Sequence, residues 1–73
     1  MQGDVRQVVG NNVRRCRKAR GLSQAQLAAA MDVDRAYISG LERGERNITI
    51  LSLWHTVMAL GVTMVDLVAE ERH

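Results

Sequence analysis

Ser23-Gln24-Ala25-Gln26-Leu27-Ala28-Ala29-Ala30-Met31-Asp32-Val33-Asp34-Arg35-Ala36-Tyr37-Ile38-Ser39-Gly40-Leu41-Glu42-Arg43 decides the fold, because it reads as two helices and the corner between them. Ser23, with Gln26 three residues on, forms a capping box just ahead of Leu27 and the alanines. Alanine favours helix more than any other residue, and its small side chain lets another helix come close. This helix should end near Met31. Asp32-Val33 then makes a tight turn, and Asp34 is suited to cap a further helix. Ile38 and Leu41 give that helix a narrow inner face, and Gly44 provides its stop.

The same punctuation extends in both directions. Upstream, Val5, Val9, Val13 and Cys16 recur at spacings of four and three, the period of one helix face. That helix should run from about Asp4, which sits at its positive end, to Ala19, and stop at Gly21. Downstream, Thr49 can cap a fourth helix with Ile50, Leu53, Val57 and Leu60 on one side, ended by Gly61. Thr63 with Asp66 can cap a short fifth helix carrying Met64, Leu67 and Val68. There is no proline, no repeat and no strand signal. The expectation is a single all-α domain over residues 1–73, a compact five-helix bundle with a helix-turn-helix at about 23–43.

Composition narrows the function classes. A chain of roughly 60–70 residues buries only about 60% of the surface its unfolded form exposes, so self-association is a natural source of extra stability. Hydrophobic residues make up 47% of the chain, yet Trp54 and Tyr37 are its only aromatics, so the core must be aliphatic. No apolar run approaches the roughly 18 residues that span a bilayer. The opening Met-Gln-Gly-Asp carries no secretory pattern. Cys16 stands alone, which excludes an internal disulfide; a cytoplasmic protein without membrane partners is the expectation. Cys16 lies on the apolar stripe of the first helix and reads as buried filler rather than a redox sensor. His55 and His73 have no cysteine or carboxylate cluster at ligand spacing, so no metal is expected. Ser23 and Ser39 lack a histidine near in sequence, and no glycine-rich phosphate loop is present. An enzyme or a cofactor is therefore not expected.

Charge is distributed unevenly. Residues 1–46 hold nine Lys/Arg against five Asp/Glu, and residues 47–73 hold one against three. A basic half suits a polyanion, although charge alone reads equally well as a solvated helix face. The Ser23–Arg43 hairpin gives the polyanion reading a shape. Two short helices joined by about three residues can cross steeply and present the second outward. The major groove of B-DNA, about 12 Å wide, admits one α-helix. With Ile38 and Leu41 inward, Arg35, Ala36, Ser39, Gly40 and Arg43 fall on the opposite side. Arg35, one residue past the cap, would point into the groove, where arginine on guanine is the commonest specific contact. Such hairpins also occur as plain structural units, so spacing leaves both readings open.

The residue string does more. Arg20-Gly21-Leu22-Ser23-Gln24-Ala25-Gln26-Leu27-Ala28 and Val33-Asp34-Arg35-Ala36-Tyr37-Ile38-Ser39-Gly40-Leu41-Glu42-Arg43-Gly44-Glu45-Arg46-Asn47 resemble the Xre/Cro/phage-repressor helix-turn-helix family. The resemblance runs on through Ala59-Leu60-Gly61-Val62 to Leu67. Asp34-Arg35-Ala36-Tyr37-Ile38-Ser39-Gly40, the Arg46-Asn47-Ile48-Thr49 that follows and the short length look most like restriction–modification controller proteins. The resemblance implies a lambda-repressor-like domain and a homodimeric transcription regulator on a palindromic or repeated double-stranded DNA operator. It implies that Gln24 touches backbone phosphate and supports the reading helix. It places Arg35, Ala36 and Tyr37 facing bases, Ser39, Arg43 and Asn47 near phosphate, and Arg46 reaching DNA from the loop. It also implies a structural ion pair between Arg17 and Glu42. Gly40 departs from the long polar residue frequent among relatives, which removes a contact and permits close backbone approach. Asp32 stands in place of a usual glycine, a position that Asp tolerates better than most residues.

A second apolar row marks the fourth helix. Leu51, Trp54 and Met58 lie beside the inward row, and little chain remains to cover them, so a partner subunit is the natural candidate. Val65 in the fifth helix can join this dimer surface, which spans helices at about 50–70. The two reading helices would then meet half-sites roughly 34 Å apart. No ligand domain is visible, so no small-molecule effector is expected. The rival class is an antitoxin-like protein-interaction module using the same apolar row on another protein.

Overall fold

Five helices succeed one another in a computed structural model that describes residues 4–70: α1 (Val5–Ala19), α2 (Gln24–Met31), α3 (Arg35–Glu42), α4 (Ile50–Leu60) and α5 (Met64–Val68). Residues 1–3 and 71–73 lie outside it, and with them the reading of the opening residues as free of a secretory pattern, the charges of Glu71 and Arg72, and the absence of a metal role for His73. Among the described residues there is no strand, and no helix is long and apolar enough to cross a membrane.

Local side-chain chemistry sets the helix ends. Ser23 Oγ accepts from the Gln26 amide at 3.0 Å while Gln26 Oε1 accepts from the Ser23 amide at 2.8 Å, closing the capping box. Thr63 and Asp66 repeat it on α5, at 3.2 and 2.9 Å. Thr49 Oγ1 accepts from the Ser52 amide at 3.0 Å, and Asp4 Oδ1 from the Arg6 amide at 2.8 Å. Each satisfies an amide that the helix itself leaves unpaired. Asp34 departs from expectation: its backbone takes the N-cap geometry of α3, but its side chain makes no capping hydrogen bond. Asp32 adopts φ 57°, ψ 46°, the left-handed conformation, and so turns the α2–α3 corner without a glycine.

α1 is the element on which the others assemble, packing against α3, α4 and α5. Val9, Val13, Leu27, Ala28, Ile38, Leu41, Leu53, Val57, Leu60 and Leu67 form one aliphatic core. A Cβ on Gly10 would collide with the carbonyl oxygen of Leu41, so α1 and α3 approach backbone to backbone there. Two polar ties fasten the C-terminal half to α1. Asn12, buried, donates from Nδ2 to the carbonyls of Leu67 at 2.8 Å and Ala69 at 2.9 Å. Arg20 donates from Nη1 to the carbonyl of Leu60 at 2.7 Å. Among the described residues no buried side-chain polar atom lacks a partner, which keeps the desolvation cost of these groups low.

Some apolar positions fall elsewhere than their spacing predicts. The inward row of α4 is Leu53, Thr56, Val57 and Leu60, whereas Ile50 in the first turn is 81% exposed. Thr56 enters the core because its hydroxyl donates to the Ser52 carbonyl at 2.8 Å and so carries no unmet polar demand. Val5 and Val68 are exposed, and Cys16 is only half-buried.

Candidate nucleic-acid interface

The outer side of α3 is polar because its inner side is fully used. Ile38, Leu41 and Glu42 are buried, while Arg35 and Ala36 stand exposed in the first turn and Arg43 at the end. Tyr37 and Ser39 are half-buried between the two sides. α2 and α1 both pack against α3, so its exposed edge is presented by a braced helix.

The brace includes a charged cluster. Arg17 donates from Nε to Glu42 Oε2 at 2.6 Å and from Nη2 to Glu42 Oε1 at 3.0 Å, and both side chains are more than nine-tenths buried. Arg17 Nη1 donates to the Leu22 carbonyl at 2.8 Å, and Gln24 Nε2 donates to Glu42 Oε1 at 3.1 Å. Burial pushes the Glu42 carboxyl up, but the hydrogen bonds from Arg17 and Gln24 outweigh it and hold the pKa below the usual carboxylate value. The charge of exposed Arg14 adds a smaller pull in the same direction. One carboxylate thus joins α1, the start of α2 and the end of α3. It also orients the Gln24 amide beside the first amides of α2.

The loop behind α3 is equally ordered. Gly44 has φ 76°; its amide bonds the Leu41 carbonyl at 3.1 Å, and the Glu45 amide bonds the Gly40 carbonyl at 2.9 Å. This pair of bonds is a Schellman closure, and it turns the chain back along the helix. Arg43 donates to Ser39 Oγ at 2.5 Å and, through Nε and Nη2, to Glu45 at 3.1 Å each. Arg46 lies with its guanidinium carbon 5.3 Å from the centre of the Tyr37 ring. Asn47 Oδ1 accepts from Arg6 Nη1 at 3.4 Å. Gly40 is not the open surface position expected of it. It is buried, and the three atoms nearest to where its Cβ would be all belong to Arg46. Gln24, Arg35, Ala36, Tyr37, Ser39, Arg43, Arg46 and Asn47 therefore lie along α3, the start of α2 and the loop that follows α3.

Arg6 and Arg14 escaped the sequence reading. Arg6 is 41 positions from Asn47, and Arg14 is 28 positions from Glu42, so only the packing of α1 against α3 and the loop that follows it reveals either neighbour.

A family model described as helix-turn-helix matches residues 13–67. The chain belongs to the helix-turn-helix family. A curated member from Sinorhizobium fredii, an uncharacterised helix-turn-helix-type transcriptional regulator, is 43% identical over 65 residues, covering 89% of this chain and 84% of its own length. The control protein C.BamHI of Bacillus amyloliquefaciens is 38% identical over 68 residues, covering 92% and 84% respectively. Among solved structures, the restriction-modification controller protein C.AhdI of Aeromonas hydrophila superposes with a TM-score of 0.81 at 35% identity. That match covers 85% of this chain and 94% of that one. Relatives of these kinds are regulators and controllers, not enzymes.

On this helix-turn-helix chain a second surface lies on α4 and α5, apart from α3. Leu51 is 65% exposed, Trp54 50% and Met58 64%, and Ile50 adds to their row. Val65 of α5 is also exposed. Trp54 thus contributes about half its surface to solvent rather than belonging to the core.

Proposed function

We propose that this chain is a sequence-specific DNA-binding transcriptional regulator, which binds a palindromic or repeated operator as a homodimer in the manner of a restriction–modification controller. The carrying observation is the exposed first turn of α3: Arg35 and Ala36 stand free on a helix whose other side is locked by Ile38, Leu41 and the Arg17–Glu42 pair. A helix held in this way fits the major groove, with Arg35 on a guanine edge and Ala36 and Tyr37 toward neighbouring bases. Gln24, Ser39, Arg43 and Asn47 form a polar margin for phosphate, and Arg46 reaches in from the loop. Exposed Arg14 is added to that margin, being the neighbour of Glu42 beside the start of α2.

The dimer reading rests on Leu51, Trp54, Met58 and Val65, joined by Ile50. This many exposed large apolar side chains on so small a chain favours cover by a second copy. Activity would then follow protein concentration through dimerisation, without a small-molecule effector. A gel-shift titration tests the proposal, using the promoter fragment upstream of the chain's own gene and a scrambled duplex of equal length. Tighter binding to the promoter that persists as salt is raised supports it. Equal binding to both duplexes overturns it, and capture of a co-expressed toxin without any DNA shift would favour the antitoxin-like reading.

A further inference from the structure

Glycine is among the least favourable residues inside a helix, so a buried glycine in the middle of α3 has to be explained by what fills its place. Gly10 and Gly40 answer differently. At Gly10 a side chain would strike backbone, the Leu41 carbonyl, so that glycine serves helix packing. At Gly40 the space belongs to one flexible side chain. Arg46 Nε lies 3.1 Å, Cγ 3.5 Å and Cδ 3.8 Å from where a Cβ would stand. The same guanidinium sits over Tyr37, three residues back on the same face of α3. Gly40 also supplies, with its carbonyl, the Glu45 bond that sends the loop back toward the helix. Arg43 has its guanidinium engaged by Glu45 and Ser39, whereas that of Arg46 makes no hydrogen bond among the described residues. Its donors are therefore left for a ligand.

We propose that Gly40 is a positioning residue for DNA recognition: its missing side chain makes room for Arg46 to lie against α3 with its guanidinium over Tyr37, preset for a base edge. This deepens the regulator reading and rests on it. A guanidinium that already rests over the ring and beside the glycine gives up less freedom when it binds. Gly40 thereby trades its own direct contact for the placement of a longer one. An alanine there would press on Arg46 Nε and force that side chain to give by a few tenths of an ångström, shifting its guanidinium, while leaving α3 at least as stable as a helix.

The test has one arm without DNA and one with it. In the first, the Nε–Hε signal of Arg46 is followed by NMR in the full chain. Ring-current shielding should place it upfield in the wild type, and Gly40→Ala should move it toward its position in Tyr37→Leu. In the second arm, Gly40→Ala should lower the ratio of promoter to scrambled-duplex affinity by roughly tenfold, within the range of one good arginine–base contact. On an Arg46→Ala background the same substitution should change nothing further. An unmoved Arg46 signal overturns the proposal. So does a Gly40→Ala loss that persists in full without Arg46, because the added methyl would then be obstructing DNA directly. A wild type that binds both duplexes alike overturns the regulator reading itself, and is recognised before any variant is made.

Discussion

The α2–α3 side and the α4–α5 side of this bundle are built on opposite principles. On the first, polar groups are closed on one another: Glu42 takes Arg17 and Gln24, Arg43 takes Glu45 and Ser39, and Arg46 lies on Tyr37. On the second, Ile50, Leu51, Trp54, Met58 and Val65 face solvent, with no described element over them. A surface of the first kind has its side chains already placed for a charged ligand, apart from Arg43, which Glu45 holds. The second is stable only when other apolar surface covers it. The contrast teaches that a small chain can complete one face alone and leave another apolar and exposed, the face assigned above to the proposed dimer.

Breaking the polar side at its root should have the largest effect. Glu42→Ala leaves Arg17 charged and buried without its partner, a loss of about 3–5 kcal/mol. Against a total stability on the order of 5–15 kcal/mol this is a large share, and urea unfolding followed by circular dichroism will register it. Arg17→Met combined with Glu42→Leu should recover much of the loss, because an apolar pair of similar volume carries no buried charge. Acid tests the same carboxylate. Its folded pKa lies below its unfolded value, so its contribution is complete above the unfolded value near 4.5 and is lost as pH falls through the folded one. Stability measured against pH should therefore decline below about 4.5, and less so in the Met/Leu variant.

Breaking the apolar side should separate the copies and spare the fold. Leu51→Glu with Met58→Glu should reduce the mass seen by light scattering from two chains to one, with helical content retained. An unchanged mass would sink the dimer reading.

Much of this contrast was legible in the residues, and the exceptions share a cause. Caps and stops are local, so Ser23 with Gln26, Thr49, Thr63 with Asp66, Gly44 and Gly61 marked the helix ends. Burial is not local. Ile50 continues the apolar spacing of α4 and still lies in solvent, because spacing records a helix's own period and not where its neighbours end. Thr56 looked polar and is fully buried, since its hydroxyl is satisfied by its own helix. Asp34 has a capping residue's identity and position without the hydrogen bond. Gly40 looked like an open position on the outer face because the loop that folds Arg46 back over it cannot be read from helical period.

Smaller effects sharpen the polar side. Arg35→Ala should cost about 1–3 kcal/mol at the correct operator while leaving scrambled DNA unaffected. Arg43→Ala should weaken all duplexes alike and reduce the salt slope by about one. Its effect on affinity should be the smallest of the series, because Arg43 must release Glu45 before it can serve phosphate. Fluorescence anisotropy across a salt series distinguishes the two variants.

Hydroxyl-radical footprinting of the wild type on its own promoter tests most directly whether the two sides act together. The proposed dimer predicts two protected half-sites with centres about 34 Å apart, near one helical turn, both weakened together in Leu51→Glu with Met58→Glu. A single protected half-site that is indifferent to that double substitution, or even protection along the whole fragment, would contradict it.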